Sequence, residues 1–175
     1  MKNGRFSSHF SAQAVILPMF KHLKEAIVRE CDEVVVYTDG ACDPNPGIGG
    51  WAAVFWYKGH YKEISGGEAR STNNRMELTA AIKALEALKR PSKVILHTDS
   101  EYLQKGITLW LPVWKRLNWR RKTGAIKNID LWRRLDELIG TYDVQWRWVP
   151  GHAGDPVNER CDKLATSEIR KLRGG

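Results

Sequence analysis

Three cysteines in 175 residues, Cys31, Cys42 and Cys161, have no C-x-x-C or other zinc-ligand spacing. So odd and sparse a set argues against a disulfide framework and for a reducing compartment. No apolar run approaches the roughly 18 residues of a membrane span, and the chain holds no internal repeat and no low-complexity tract. Two stretches lack acid altogether, Met1–Lys24 and Leu103–Ile129. The first, rich in Ser and basic residues, has a faint transit-peptide composition; A-V-I-L-P-M-F, broken by Pro18, is too short for a signal peptide. The plainer reading is a variable extension over residues 1–32, with a short surface helix over Phe20–Val28 and no function attached. The expected location is the cytoplasm, or an organelle if the extension is a transit peptide.

What is present fits one soluble globular domain over residues 33–173, with apolar residues at 42% and charged residues at 27%. Lys and Arg number 28 against 20 Asp and Glu, and a net charge of +8 favours a polyanionic partner. V-V-V-Y-T (34–38) reads as a buried strand ending in a loop of turn formers, D-G-A-C-D-P-N-P-G-I-G-G. W-A-A-V-F-W-Y (51–57) and H-Y-K-E-I-S-G (60–66) form a hairpin across Lys58-Gly59. Ser71 and Thr72 open an amphipathic helix with Leu78, Ala81, Ile82, Leu85 and Leu88 inward, and Pro91 stops it. K-V-I-L-H-T (93–98) is a second buried strand, and residues 100–122 read as two helices interrupted near Pro112. A helix over 126–139 ended by Gly140, a strand over 142–149, and a helix capped by Asp155-Pro156 complete the order. The class is α/β, a mixed sheet with helices on both faces.

Glu77 breaks the pattern of its helix, projecting on the flank of the apolar stripe while Arg75, Lys83, Glu86 and Lys89 point away. A half-buried carboxylate there costs several kcal/mol unless a positive group compensates it. Asp39 and Asp99 end the two buried strands, and neighbouring parallel strands bring such ends together, where open α/β sheets hold ligands. Asp162 flanks the apolar stripe of the last helix as Glu77 flanks its own. Four like charges at one sheet edge repel and raise one another's pKa. Divalent cations turn that liability into a site, because Mg²⁺ takes carboxylate oxygens and keeps positions open for water and phosphate. A pair of such ions activates water and stabilises the leaving oxygen of a phosphodiester. Taken singly, an Asp after a strand is usually a turn or cap residue; the conjunction of four, with their motifs, carries the inference.

Y-T-D-G-A-C-D-P-N-P-G-I-G-G-W, S-T-N-N-R-M-E-L-T-A-A-I, H-T-D-S-E-Y, K-N-I-D-L-W and V-P-G-H-A-G-D-P-V-N-E-R-C-D-K-L-A resemble ribonuclease HI of the bacterial type. The resemblance runs from about residue 33 to 172 and implies a ribonuclease H-like fold with a five-stranded mixed sheet. It implies hydrolysis of the RNA strand of RNA–DNA hybrids with two Mg²⁺ ions, or Mn²⁺ in their place, leaving 5′-phosphate and 3′-hydroxyl ends. Asp39, Glu77, Asp99 and Asp162 correspond to the metal ligands, with Asp39 bridging both ions. His152 corresponds to the residue that assists proton transfer at the leaving group, a task suited to an imidazole. Cys42 through its backbone, Asn45, Asn73 and Asn74 correspond to minor-groove contacts on the RNA strand, and Thr72, Arg75 and Asn128 to a DNA-phosphate site. The resemblance also implies a monomer without an obligate protein partner or a membrane. Glu101, where many relatives have Gln, adds an acid near the metals.

Within the acid-free Leu103–Ile129, Lys105, Lys115, Arg116, Arg120, Arg121, Lys122 and Lys127 alternate with Trp110, Trp114 and Trp119. Seven cations without local counter-charge fit a phosphate-tracking surface better than a solvated face. The segment resembles the family's basic protrusion, which grips the DNA strand; Trp110 and Trp114, at i and i+4, also suit packing onto the body. Two other classes stay open: a DNA-strand transferase or resolvase of the same superfamily, and a non-catalytic nucleic-acid binding module. The first lacks the G-H-A-G loop; the second is expected to have lost one of the four acids.

Overall fold

The computed structural model describes residues 33–90, 92–121, 123–151 and 154–174. The β-branched run Val34–Val36 is buried at the middle of a five-stranded sheet, in β1 (Glu33–Asp43). β2 (Gly47–Tyr57) pairs antiparallel with β1, and β3 (His60–Ser71) pairs antiparallel with β2. β4 (Lys93–Thr98) runs parallel to β1 on its other side, and β5 (Asp143–Trp148) parallel to β4. The order β3-β2-β1-β4-β5 is the mixed sheet expected from the sequence.

The loop expected after the first strand is mostly paired strand. The β1–β2 ladder continues through Asp39↔Ala52 to Asp43↔Ile48, so only residues 44–46 turn the chain. Gly40 is not a turn residue: a Cβ there would lie 2.2 Å from the Glu77 amide nitrogen, and its absence seats helix α1 (Asn73–Glu86) on β1. Strand β3 likewise runs past Gly66 to Ser71.

Adjacent strand residues point to opposite faces. A Cβ on Gly49 would strike the Met76 side chain at 2.6 Å, and one on Gly50 the Ala165 carbonyl at 2.0 Å. Helix α1 therefore covers one face and α5 (Pro156–Gly174) the other. On the α1 face, Leu78, Leu85, Val36, Phe55 and Leu96 close a core with Trp132, Leu135 and Leu138 of α4 (Ile129–Thr141). On the other, Val157, Cys161, Ala165 and Ile169 are buried, as predicted, while Leu164 is only half-buried.

Element ends differ from expectation in physically traceable ways. Thr72 alone caps α1, its Oγ1 accepting from the Arg75 amide at 3.3 Å; Ser71 belongs to β3. Helix α1 ends at Glu86, short of the proline predicted to stop it, and Leu88 packs on the core from beyond the helix. The predicted break near Pro112 is a π-helical turn: α2 (Glu101–Lys105) passes through Gly106–Trp110 into α3 (Leu111–Arg116). The Leu111 amide bonds back five residues to Gly106, and Pro112 sits in the first turn of α3, where its missing N–H costs little. Gly106 has to be glycine, since a Cβ would lie 1.9 Å from the Trp132 ring. Helix α4 starts after Asn128, in the left-handed region at φ 56°, and runs through Gly140 to Thr141.

Candidate active site

The parallel register of β1 and β4 ends at Thr38↔Thr98, so Asp39 and Asp99 leave the same junction side by side. The Gly40 amide donates to Asp39 Oδ1 at 2.7 Å. Close contact of α1 with Gly40 brings Glu77 to this end of the sheet. Its two oxygens are held separately: Asn73 Nδ2 donates to Oε1 at 3.0 Å, and the Ser100 hydroxyl donates to Oε2. Asn158 Nδ2 donates to Asp99 Oδ2 at 2.9 Å. Helix α5 starts here because Asp155 Oδ1 accepts from the Val157 and Asn158 amides at 2.9 and 3.2 Å. The Cys161 thiol, donating to the Tyr37 carbonyl at 3.4 Å, ties α5 to β1 two residues before Asp39. Asp162, the next residue along α5, is half-buried, and its Oδ1 accepts from Thr166 Oγ1 at 3.5 Å.

Electrostatics join the four acids. Burial pushes the Asp39 carboxyl up to about 8, with Asp99, Asp162 and Glu77 adding to the shift against the Gly40 amide. Burial pushes Glu77 up to about 7, the Ser100 hydroxyl opposing and Asp99 contributing. Yet among the described residues no three acidic, His or Cys side chains close into a metal-ligand group. The two observations are compatible, since like charges without a counter-ion turn to nearby donors: Glu77 to Asn73 and Ser100, Asp99 to Asn158. The donor set, four carboxyl groups in mutual repulsion, suits a hard divalent cation.

Ser100 and Asn158 escaped the sequence reading. Ser100 directly follows Asp99 and also caps α2 through the Leu103 amide at 3.0 Å. Asn158 stands one helical turn before Asp162, and that i, i+4 spacing to a singled-out acid was the available signal. Its Oδ1 is buried without a partner among the described residues. His152 lies outside the described residues, but a Cβ on Gly151 would be 3.2 Å from Asp99 Oδ2, so the G-H-A-G segment leaves from beside that acid. His97 is half-buried and stacked on Tyr37 at 4.2 Å, whereas His60 is exposed at the start of β3. Glu101 is exposed and pairs with Lys105 at 2.7 Å along its own helix.

The residues assigned to the RNA strand gather at the tip of the first hairpin and the start of α1. Asn45 Oδ1 accepts from the Asn73 amide at 3.2 Å, and the Cys42 thiol donates to the Ser71 carbonyl at 3.4 Å. Asn74 is exposed beside them. Arg75 does not point freely into solvent: its guanidinium spans to Asp130 at 2.8 and 3.1 Å and to Asn128 Oδ1 at 3.4 Å. Thr72, Arg75 and Asn128 thus form one small polar group.

The basic segment has counter-charges after all, supplied from outside it. Lys105 pairs with Glu101 and Lys115 with Asp136 at 2.8 Å. Arg116, Arg120, Arg121 and Lys127 are exposed and take no ion pair among the described residues, while Lys122 lies outside them. Trp114 contacts Trp110 at 5.9 Å, Trp119 at 6.4 Å and core Trp132 at 5.7 Å, so the tryptophans fasten the protrusion to the body. Tyr102, Trp110 and Trp114 also line a cavity of about 300 Å³ with Arg121 and Lys127, an aromatic wall beside two cations.

This sheet, with acids at the carboxyl ends of its parallel strands and helices on both faces, defines a ribonuclease H-like protein. The chain superposes on LC9-RNase H1, described as a type 1 RNase H with the type 2 active-site motif, with TM-score 0.74 and 31% identity over 81% of this chain and 74% of that one. It is also similar to RNase H1 of Halobacterium salinarum, with TM-score 0.61 and 28% identity over 79% and 98%. The RNase H family model matches residues 31–170. Ribonuclease H of Thiobacillus denitrificans is 57% identical over 143 residues, 81% of this chain and 97% of that protein. Ribonuclease HI of Pseudomonas aeruginosa is 54% identical over 142 residues, 81% and 96%. The chain belongs to the ribonuclease H family and is a hydrolase of that family.

Proposed function

We propose that the chain hydrolyses the RNA strand of RNA–DNA hybrids, leaving 5′-phosphate and 3′-hydroxyl ends, with Asp39, Glu77, Asp99 and Asp162 holding two Mg²⁺ ions. The observation that carries this is the Asp39 carboxyl, pushed up to about 8 by its own burial and by Asp99, Asp162 and Glu77. Such a group asks for positive charge. Bound Mg²⁺, or Mn²⁺ in its place, supplies acidified water and stabilisation of the leaving oxygen. The protein's part is to aim carboxylates: Asn73 and Ser100 orient Glu77, and Asn158 orients Asp99. His152, in the loop leaving Gly151, handles the proton at the leaving oxygen. Cys42, Asn45, Asn73 and Asn74 present amide and backbone groups able to read the 2′-hydroxyl of the RNA strand. Thr72, Arg75 and Asn128 take a DNA phosphate, and the protrusion follows the DNA backbone. A structure similar in fold, LC11-RNase H1, was solved in complex with an RNA/DNA hybrid. We read the enzyme as a cytoplasmic monomer, in keeping with free thiols at Cys42 and Cys161.

The test incubates the full chain with end-labelled RNA–DNA hybrid, duplex DNA and duplex RNA, with and without Mg²⁺. Cleavage of the hybrid alone, dependent on the cation and leaving ligatable 5′-phosphates, is expected. Cleavage of duplex DNA, or of hybrid in excess chelator, overturns the reading.

A further inference from the structure

Side chains alternate along β1, so at the tip of the first hairpin Cys42 and Asp43 face opposite sides of the sheet. Cys42 turns to the α1 side, where its thiol reaches the Ser71 carbonyl at 3.4 Å. Asp43 turns to the α5 side, the one on which Gly50, the ladder partner of Ala41, meets Ala165. There the last turn of α5 brings up Arg173, whose Nη2 donates to the Asp43 carbonyl at 2.7 Å and to Asp43 Oδ2 at 2.8 Å. The next three residues, 44–46, turn the chain and include Asn45. We propose that Arg173 is a positioning residue that clamps this tip from the α5 side, so that Asn45 and the Cys42 backbone meet the 2′-hydroxyls of the RNA strand. The inference rests on the hybrid reading above.

Three observations support the clamp. From the other side of the tip, the Asn73 amide donates to Asn45 Oδ1 at 3.2 Å, so the turn is gripped between α1 and α5. A cation in the last turn of a helix often does no more than complement the helix dipole. Lys171 stays within α5, pairing with Glu168 at 2.7 Å, whereas Arg173 reaches a backbone and a side-chain acceptor of one residue on another element. Asp43 would otherwise repel the phosphates of an incoming duplex, and Arg173 neutralises it in place. Finally, α5 also carries Asp162, three turns before Arg173 and roughly 16 Å along the axis. One helix therefore sets the span between the acidic site and the tip. The two side chains are 51% and 70% exposed, so the effect is modest, on the scale of an exposed ion pair.

The test measures binding of the full chain to an RNA–DNA hybrid and to duplex DNA of the same sequence, by anisotropy in chelator across a salt series. Charge acts on both duplexes through their phosphates, whereas a displaced tip acts on the hybrid alone, which has the 2′-hydroxyls. Arg173→Ala should lower the hybrid-to-DNA affinity ratio about three- to fivefold, and Arg173→Lys, which keeps a cationic donor, should restore most of it. Adding Asp43→Ala to Arg173→Ala should lower the ratio no further, and kcat at saturating hybrid should stay within about twofold. An unchanged ratio in Arg173→Ala overturns the clamp. So does a parallel loss on both duplexes with a flatter salt slope, which would make Arg173 a phosphate contact. A fall in kcat with the ratio intact also overturns it. A parent chain that binds both duplexes alike would remove the hybrid reading and the clamp together, whereas parent-like selectivity in Arg173→Ala removes the clamp alone.

Discussion

Asp39 combines burial with three acidic neighbours, and its raised pKa fixes the sign of a pH effect. A carboxyl whose folded pKa, about 8, lies above its ordinary value of 3.8 binds more protons folded than unfolded between those limits. Its favourable contribution is complete below the ordinary value and is lost as pH rises toward 8; Glu77, raised to about 7, acts in the same direction. The cation-free protein is therefore expected to lose thermal stability between about pH 4 and 8. Asp39→Asn should flatten that decline and raise Tm at pH 8 by about 5 °C or more, measured by calorimetry in chelator. The same variant should lower hybrid cleavage by about 1,000-fold, on the scale of a lost electrostatic group, while hybrid binding stays within a few-fold. A parent-like rate from Asp39→Asn would remove Asp39 from the metal set. Asn158 makes a subtler case because it acts through Asp99: Asn158→Ala should reduce kcat about 10–100-fold, as removal of outer-shell partners does. KM for hybrid should hold, and Asn158→Asp should not rescue, since it adds a fifth acid. A change confined to KM would assign Asn158 to substrate contact instead.

At the scale of elements, the strands that matter for chemistry were legible because β-branched runs need burial on both faces. The residues between Asp39 and Asp43 were not. Gly40 and Asp43, with Pro44 following, read as turn chemistry, yet the ladder to β2 runs through Asp43, and Gly40 serves the approach of α1. The four acids were legible from their positions at apolar borders. Their partners Ser100 and Asn158 were not, because a hydroxyl beside an aspartate carries no periodic signal and the i, i+4 spacing of Asn158 points to Asp162, whereas its amide bonds to Asp99. Arg75 points away from the stripe as its helical angle requires, but α4 arrives on that side and offers Asp130, which the angle alone does not show. The Gly40 reading is testable. Gly40→Ala forces Cβ against the α1 backbone, which cannot yield as a flexible side chain would. The expected loss is about 3 kcal/mol in urea unfolding, the upper range for overpacking, with cleavage falling because Glu77 moves with the helix. A loss under about 0.5 kcal/mol, the range of neutral surface changes, would mean that α1 is not pinned there.

The whole molecule carries +8, and the location of unmatched charge decides what that excess does. Within the protrusion, Lys105 and Lys115 spend their charge on Glu101 and Asp136, leaving Arg116, Arg120, Arg121 and Lys127 to face solvent. Counter-ion release counts only cations that neutralise phosphates, at roughly 0.9 per contact in the slope of log affinity against log salt. Replacing Arg120, Arg121 and Lys122 together by alanine should therefore flatten that slope by about 2 to 3 and weaken hybrid binding most at low salt. Lys115→Ala should move it by well under 1, because that lysine must first leave Asp136. Turnover at saturating hybrid should stay near the parent value for both, since the protrusion is fastened to the body by Trp110, Trp114 and Trp132 and not by its cations. Affinity measured across a salt series separates these outcomes. A triple variant with the parent slope would place the DNA strand elsewhere, and an equal effect from Lys115 would mean that its ion pair opens when hybrid binds.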